Sequence, residues 1–240
     1  MTEGMWVFGY GSLMWRPGFP YTRRMRARVQ GFTRRLCVLS VHHRGTERRP
    51  GLVLGLDRGG ACDGIAYWVP QEEVKDVRDY LRAREQVNGV YREARIRMSL
   101  SHEQDQDTAQ GVIDLASAQP NLDEVWATTF IAERAHPSYQ PELRLCEQAQ
   151  IVSGAAGLSG HNVGYVVNTV THLRELSIHD AQLERLLVVL GTVLARSNGT
   201  ATGLSHHAPI VTKQLPRRLK HKPMRTDQRR RFSYRSQLTD

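Results

Sequence analysis

Val7-Phe8-Gly9-Tyr10-Gly11-Ser12-Leu13-Met14-Trp15 runs from an apolar, aromatic start straight into Gly-Tyr-Gly-Ser. The first residues are strand formers, and the two glycines beside Tyr10 let the chain turn while leaving backbone N–H groups uncovered by side chains. A strand that ends this way offers a concavity suited to a carboxylate or an oxyanion, and a plain strand-to-turn junction is the alternative. A nucleotide-phosphate loop is excluded, because neither GxxxxGK[ST] nor a complete GxGxxG opening a helix is present. Ser12 lacks the GxSxG setting of a nucleophile elbow.

Around that stretch the first half of the chain reads as short strands. Residues 5–10, 31–39, 51–56 and 64–69 are rich in β-branched and aromatic residues and are separated by Gly, Pro and Arg turns. Tyr91–Met98 and Val125–Ala132 continue the series on either side of a polar loop at 101–110. This spacing predicts a sheet or barrel. The second half changes period: 142–156, 162–176 and 178–194 carry apolar residues at i, i+3, i+4 and i+7, as amphipathic helices do. Ser177-Ile178-His179-Asp180 resembles a capping box ahead of the last helix. Beyond about residue 198 the pattern dissolves, which predicts a folded body at 1–205 and a basic, flexible tail at 206–240.

One helix falls among the strands. Residues 71–85 follow Pro70, open with Glu72 and Glu73 and close with Arg82 and Arg84, the charge order a helix dipole favours. At about 100° per residue, Glu85 lies about 20° from Val74, on the side of Val77 and Leu81. A carboxyl there meets both the core and the negative end of the helix. Both effects disfavour ionisation and raise its pKa towards the range of a group that gives and takes protons near neutrality. The competing reading is a frayed last turn, with Glu85 in water or paired with Arg82 or Arg84.

The chain has 240 residues, 40% of them apolar and 24% charged, which is ordinary globular usage. Its formal net charge of +9 is unevenly spread: residues 213–240 hold ten Lys/Arg against two acids, and the rest of the chain is close to neutral. Such a tail attracts polyanions without reading sequence, so a nucleic acid or another polyanion is a candidate partner only through 213–235. The longest apolar run, 186–195, is too short for a membrane span, and the N-terminus shows no signal-peptide pattern. Three cysteines, Cys37, Cys62 and Cys146, form no CxxC pair and suit a reducing, cytoplasmic setting as small buried hydrophobes. The adjacent pairs His42-His43 and His206-His207 do not converge on one ion, so no metal is expected. The arginine cluster at 23–35 reads as a solvated face, while Arg44, beside Gly45, is available to a substrate carboxylate.

Several of these segments together resemble the ChaC family of glutathione-specific γ-glutamylcyclotransferases. They are Val7–Trp15; His43-Arg44-Gly45; Tyr80-Leu81-x-x-Arg84-Glu85 with Gly89 and Tyr91; Pro137-x-Tyr139; and Gly157-Leu158-Ser159-Gly160-His161-Asn162 with Tyr165. The resemblance spans about residues 5–190 in order and leaves the basic tail outside. It implies an α+β fold in which helices surround a small mixed β-barrel. It also implies cleavage of glutathione to 5-oxoproline and cysteinylglycine, without a cofactor, with Glu85 as general acid and base. The residues that would bind substrate are Val7, Phe8, Gly9, Tyr10, Gly11, Ser12, Leu13 and Arg44, with Tyr91, Tyr139 and Tyr165 in support. The family's usual Asn-x-Glu-Tyr reads Asn162-Val163-Gly164-Tyr165 here, and Val90, Ser138 and Gln140 stand where glycines are common. Those departures bear on substrate choice and turnover. The alternatives are a module that captures γ-glutamyl or other anionic ligands without turnover, and a polyanion binder acting through the tail.

Overall fold

The computed structural model describes residues 3–85, 89–101 and 123–199. Most of the loop expected at 101–110 and the whole 206–240 tail lie outside them. Five strands close into a barrel: β1 (Gly4–Gly9), β2 (Arg23–Ser40), β3 (Gly51–Pro70), β4 (Tyr91–Leu100) and β5 (Asp123–Ala132), in the order β1-β3-β2-β4-β5. Closure comes from the parallel pair Trp6↔Ala127 and Val7↔Thr128, and every other pairing is antiparallel. The expected α+β barrel is therefore what the chain forms.

The helices are α1 (Val74–Glu85), α2 (Leu145–Gly154), α3 (Asn162–Glu175) and α4 (Ala181–Gly199). Val77 and Leu81 carry α1 onto the core, and Val152, Val170, Leu173, Leu186 and Leu190 join the other helices to it, all nearly or fully buried. A two-stranded ribbon, β6 (Ala156–Gly157) and β7 (Gly160–His161), separates α2 from α3.

The structure corrects the sequence reading of a strand, a helix cap and a cysteine. Segments 51–56 and 64–69 are halves of the single strand β3. Gly59 and Gly60 (φ +106° and +66°), which read as a turn, form a bulge opposite Gly31 (φ +77°), and the pairing slips between Gln30↔Ala61 and Phe32↔Arg58 without breaking. The bend separates a half of β3 that pairs with β1 from a half, 51–58, whose second edge meets no strand among the described residues. The cap of α4 is Asp180, which accepts the N–H of Leu183 at 3.1 Å, and not Ser177. Ser177 instead ends α3 in the left-handed region (φ +50°), with Ser177 and Ile178 donating to Arg174 and Leu173. Finally, Cys37 and Cys62 are buried as expected, but Cys146 is exposed.

Candidate active site

The turn after β1 is held almost entirely by its carbonyls. Arg34 donates from Nε to the Tyr10 carbonyl at 2.5 Å. Tyr67 gives its hydroxyl to the carbonyls of Leu13 (3.0 Å) and Met14 (2.7 Å). Arg84 donates to the carbonyls of Arg16 (2.9 Å) and Pro17 (3.2 Å) and to Ser12 Oγ (2.9 Å). The carbonyls of Gly11 and Ser12 accept the N–H groups of Met14 and Arg16 in a short 3-10 turn. With the acceptors engaged, the donors at the start of the turn remain: the Gly11 N–H has no protein acceptor among the described residues. This is the geometry of an anion cradle. Val7 and Phe8 contribute no side chain to it, since both are fully buried in the barrel, and Thr129 Oγ1 donates to the Phe8 carbonyl at 2.9 Å.

Glu85 ends α1 with 18% of its side chain exposed, and Arg84 Nε lies 3.2 Å from its Oε1. Burial pushes the Glu85 carboxyl up from its usual range, and the charge and hydrogen bond of Arg84 only partly offset that. The helical-wheel reading and its competitor thus both describe part of the site: the residue faces inward and also pairs with Arg84. Three phenols share this environment. Burial raises Tyr10 and Tyr91 well above the normal phenol range and Tyr165 to about 12, and the Glu85 charge adds to each shift.

What fixes those phenols is the unpaired edge of β3. Leu52, Leu54 and Leu56 alternate along it and present peptide groups that no strand covers among the described residues. The Asn162 side chain accepts the N–H of Leu52 at 2.6 Å and donates to its carbonyl at 2.8 Å. Tyr165 accepts the N–H of Leu54 at 3.1 Å, and Tyr91 donates to the Leu54 carbonyl at 2.6 Å. The Leu56 backbone lies close enough to the Tyr10 phenol to oppose part of its upward shift. One residue after another, site side chains stand in for the missing strand. Asn162 and Tyr165 are three residues apart on the first turn of α3, and so face the same way.

Arg44 forms the rim. Its guanidinium lies 5.4 Å from the centre of the Tyr165 ring and donates to the Ser159 carbonyl at 2.5 Å. The backbone is crowded there: a Cβ on Gly45 would sit 2.1 Å from the Gly51 N, and one on Gly157 would sit 2.4 Å from the His42 carbonyl, so only glycine lets these segments touch. Burial lowers the Arg44 pKa, Tyr165 opposes that, and the nearby Arg16 charge lowers it further.

Tyr139 stands apart from this group. Its hydroxyl donates at 2.8 Å to Asp57 Oδ2, and burial followed by that bond raises it to about 12. Asp57 is itself buried, but hydrogen bonds from Arg134 and Tyr139 outweigh the burial and keep its carboxyl below the ordinary range. The Asp57 cluster anchors the segment after β5 to β3. Among the described residues no three His, Cys, Asp or Glu side chains gather as a metal site, and no helix is long and apolar enough to cross a membrane. His43 bonds Ser159 Oγ at 3.0 Å.

Sequence reasoning missed Asn162 as a site residue, Arg84 as the clamp on the turn, and Arg34. The last was read into a solvated basic face, yet it is 6% exposed. Its position between Phe32 and Leu36 on one face of β2 was the available signal.

The barrel with a buried carboxyl beside an amide-rich turn places the chain in the γ-glutamylcyclotransferase-like fold class. A yeast crystal structure described as γ-glutamylcyclotransferase specific to glutathione superposes with a TM-score of 0.67 at 23% identity, over 79% of this chain and 96% of that one. The family model described as ChaC-like protein matches residues 5–193, and the chain belongs to that family. Curated relatives named glutathione-specific γ-glutamylcyclotransferase include one from Escherichia coli K12, 30% identical over 80% of this chain and 75% of its own length. A second, from Schizosaccharomyces pombe, is 32% identical over 75% of this chain and 90% of its own length. The human protein named glutathione-specific γ-glutamylcyclotransferase 1 is 32% identical over 80% of this chain and 79% of its own length.

Proposed function

We propose that the protein cleaves glutathione to 5-oxoproline and cysteinylglycine, with Glu85 as the proton carrier. The observation that carries this reading is the inward, raised-pKa carboxyl of Glu85 beside a turn whose carbonyls are held and whose leading amide has no protein acceptor among the described residues. The names of its relatives supply the substrate.

A γ-glutamyl amide carries its own nucleophile, the α-amine, tethered to the γ-carbonyl, so the entropy of encounter is already removed. The amine is mostly protonated at neutral pH. In the neutral-amine form of the substrate the nitrogen attacks the γ-carbon, and one of its two protons passes to the Glu85 carboxylate while the other stays as the ring N–H. The C–N bond to cysteinylglycine then breaks as Glu85 returns that proton to the departing nitrogen. No water is consumed. Backbone N–H groups at Tyr10–Leu13 meet the charge that develops on the carbonyl oxygen. Arg44 and Arg16 draw the substrate's carboxylates, and Tyr91 and Tyr165 stand near the Glu85 carboxyl. Val7 and Phe8 act through the backbone they hold, and Tyr139 through Asp57.

The catalytic domain is assigned to 1–205 and the basic tail to 206–240, in a cytoplasmic protein. The tail's charge favours salt-sensitive polyanion binding through 213–235 as a separate property. The assigned reaction is tested with glutathione acetylated on its glutamyl amine, which has no nucleophile and is expected to be inert. Its cleavage would make the protein an amidohydrolase. Binding of glutathione without turnover would leave the capture module.

A further inference from the structure

We propose that Arg34 is a positioning residue for this reaction: it sets the Tyr10–Gly11 peptide so that the Gly11 N–H is aimed at the developing oxyanion. The inference rests on the cyclotransfer reading above.

Arg34 sits on β2 with its side chain 4% exposed. Its fork is fully used: Nε on the Tyr10 carbonyl, Nη2 on the Asp63 carbonyl at 2.6 Å, and Nη1 on Asp180 Oδ2 at 3.1 Å. Asp180 is shared in turn, since its Oδ1 caps α4. Asp180 therefore ties the far end of the guanidinium to α4, while the grip on the Tyr10 carbonyl is made by Nε itself.

Peptide planarity converts that grip into an orientation. The described peptide bonds are all trans, so C=O and N–H of one peptide point in opposite directions. Holding the Tyr10 carbonyl against Arg34 turns the Gly11 N–H the other way, and no protein acceptor satisfies it among the described residues. A full positive charge on the carbonyl also polarises the peptide and strengthens its N–H as a donor. Stability alone does not account for such an arrangement, because a buried ion pair is often no better than apolar residues of the same volume. A Lys at this position keeps the charge but not the fork that reaches three acceptors at once.

The test compares Arg34→Ala, Arg34→Lys and Asp180→Asn with wild type. The arginine variants are expected to lose about 10²-fold in kcat, the scale of one oxyanion donor, with KM within about threefold. Arg34 lines a cavity of about 210 Å³ with Asp63 and Asp180, so guanidinium chloride below denaturing concentration is expected to restore much of the Arg34→Ala rate, where sodium chloride does not. Asp180→Asn leaves the Arg34–Tyr10 bond in place, and a lower Tm with kcat within about threefold of wild type is expected. A folded arginine variant with near-normal kcat, or one whose loss lies wholly in KM, overturns the proposal. So does a hundredfold kcat loss in Asp180→Asn, which decides the matter even where neither arginine variant folds. Wild type inactive on glutathione would count against the reaction instead. The positioning claim would then be judged on the Gly11 amide NMR resonance, expected to move in Arg34→Lys and to hold in Asp180→Asn, the reverse overturning it.

Discussion

Asn162 holds Leu52 by both ends of its peptide group, accepting the N–H at 2.6 Å and donating to the carbonyl at 2.8 Å. A neighbouring strand would make the same two bonds, and here one fully buried side chain makes them from the first turn of α3. Asn162→Ala leaves a donor and an acceptor buried and unpaired, at about 1–3 kcal/mol each. The expected loss is about 2–6 kcal/mol, read as a fall in denaturant midpoint at unchanged m-value.

Glu85→Gln keeps the shape and removes the titrating proton. Turnover of glutathione is expected to fall at least ~10²-fold, with the fold intact by circular dichroism. Stability moves the other way. Because the folded carboxyl is raised above its unfolded value, wild type loses stability as pH rises through the folded pKa, and the glutamine does not. The variant is therefore expected to melt above wild type at neutral pH, with the gap closing as pH falls below the ordinary carboxyl range.

Arg84 opposes the burial of Glu85 with its charge and its hydrogen bond. In Arg84→Met the carboxyl should protonate more readily. Since the ionised form accepts the amine proton, the acid limb of kcat/KM is expected to move to higher pH. A drop in kcat of ~10 to 10²-fold should accompany it, because the same arginine holds Ser12 and the Arg16 and Pro17 carbonyls. An unmoved acid limb would separate Arg84 from the ionisation of Glu85.

Ser177 occupies a left-handed position at the end of α3, where glycine carries no Cβ penalty. Ser177→Gly is expected to stabilise the protein by about 0.5–1 kcal/mol after the extra freedom of the unfolded glycine is subtracted, with kcat unchanged.

The parts of this fold legible in the sequence are those where one period dominates. Val74, Val77 and Leu81 mark a single helical stripe, and Glu85 falls on it, so α1 and its carboxyl were readable without a partner element. The turn at Gly9–Ser12 was readable because two glycines around a tyrosine leave few backbone options. What stayed hidden depends on contacts distant in sequence. Gly59-Gly60 is a local turn signal overridden by the continuing pairing with β2. Arg34 sits among exposed arginines in sequence, and its partners Tyr10 and Asp180 lie 24 and 146 residues away. Asp57 and Tyr139, 82 residues apart, meet only once β3 and the segment after β5 are in place.

The most direct test of the account is the product balance from glutathione and the purified protein, with 5-oxoproline, cysteinylglycine and free glutamate measured together. Intramolecular attack predicts equal amounts of 5-oxoproline and cysteinylglycine with no glutamate, all of it abolished by Glu85→Gln. Glutamate in place of 5-oxoproline would show that water or an enzyme nucleophile breaks the amide, and would contradict the role given to Glu85.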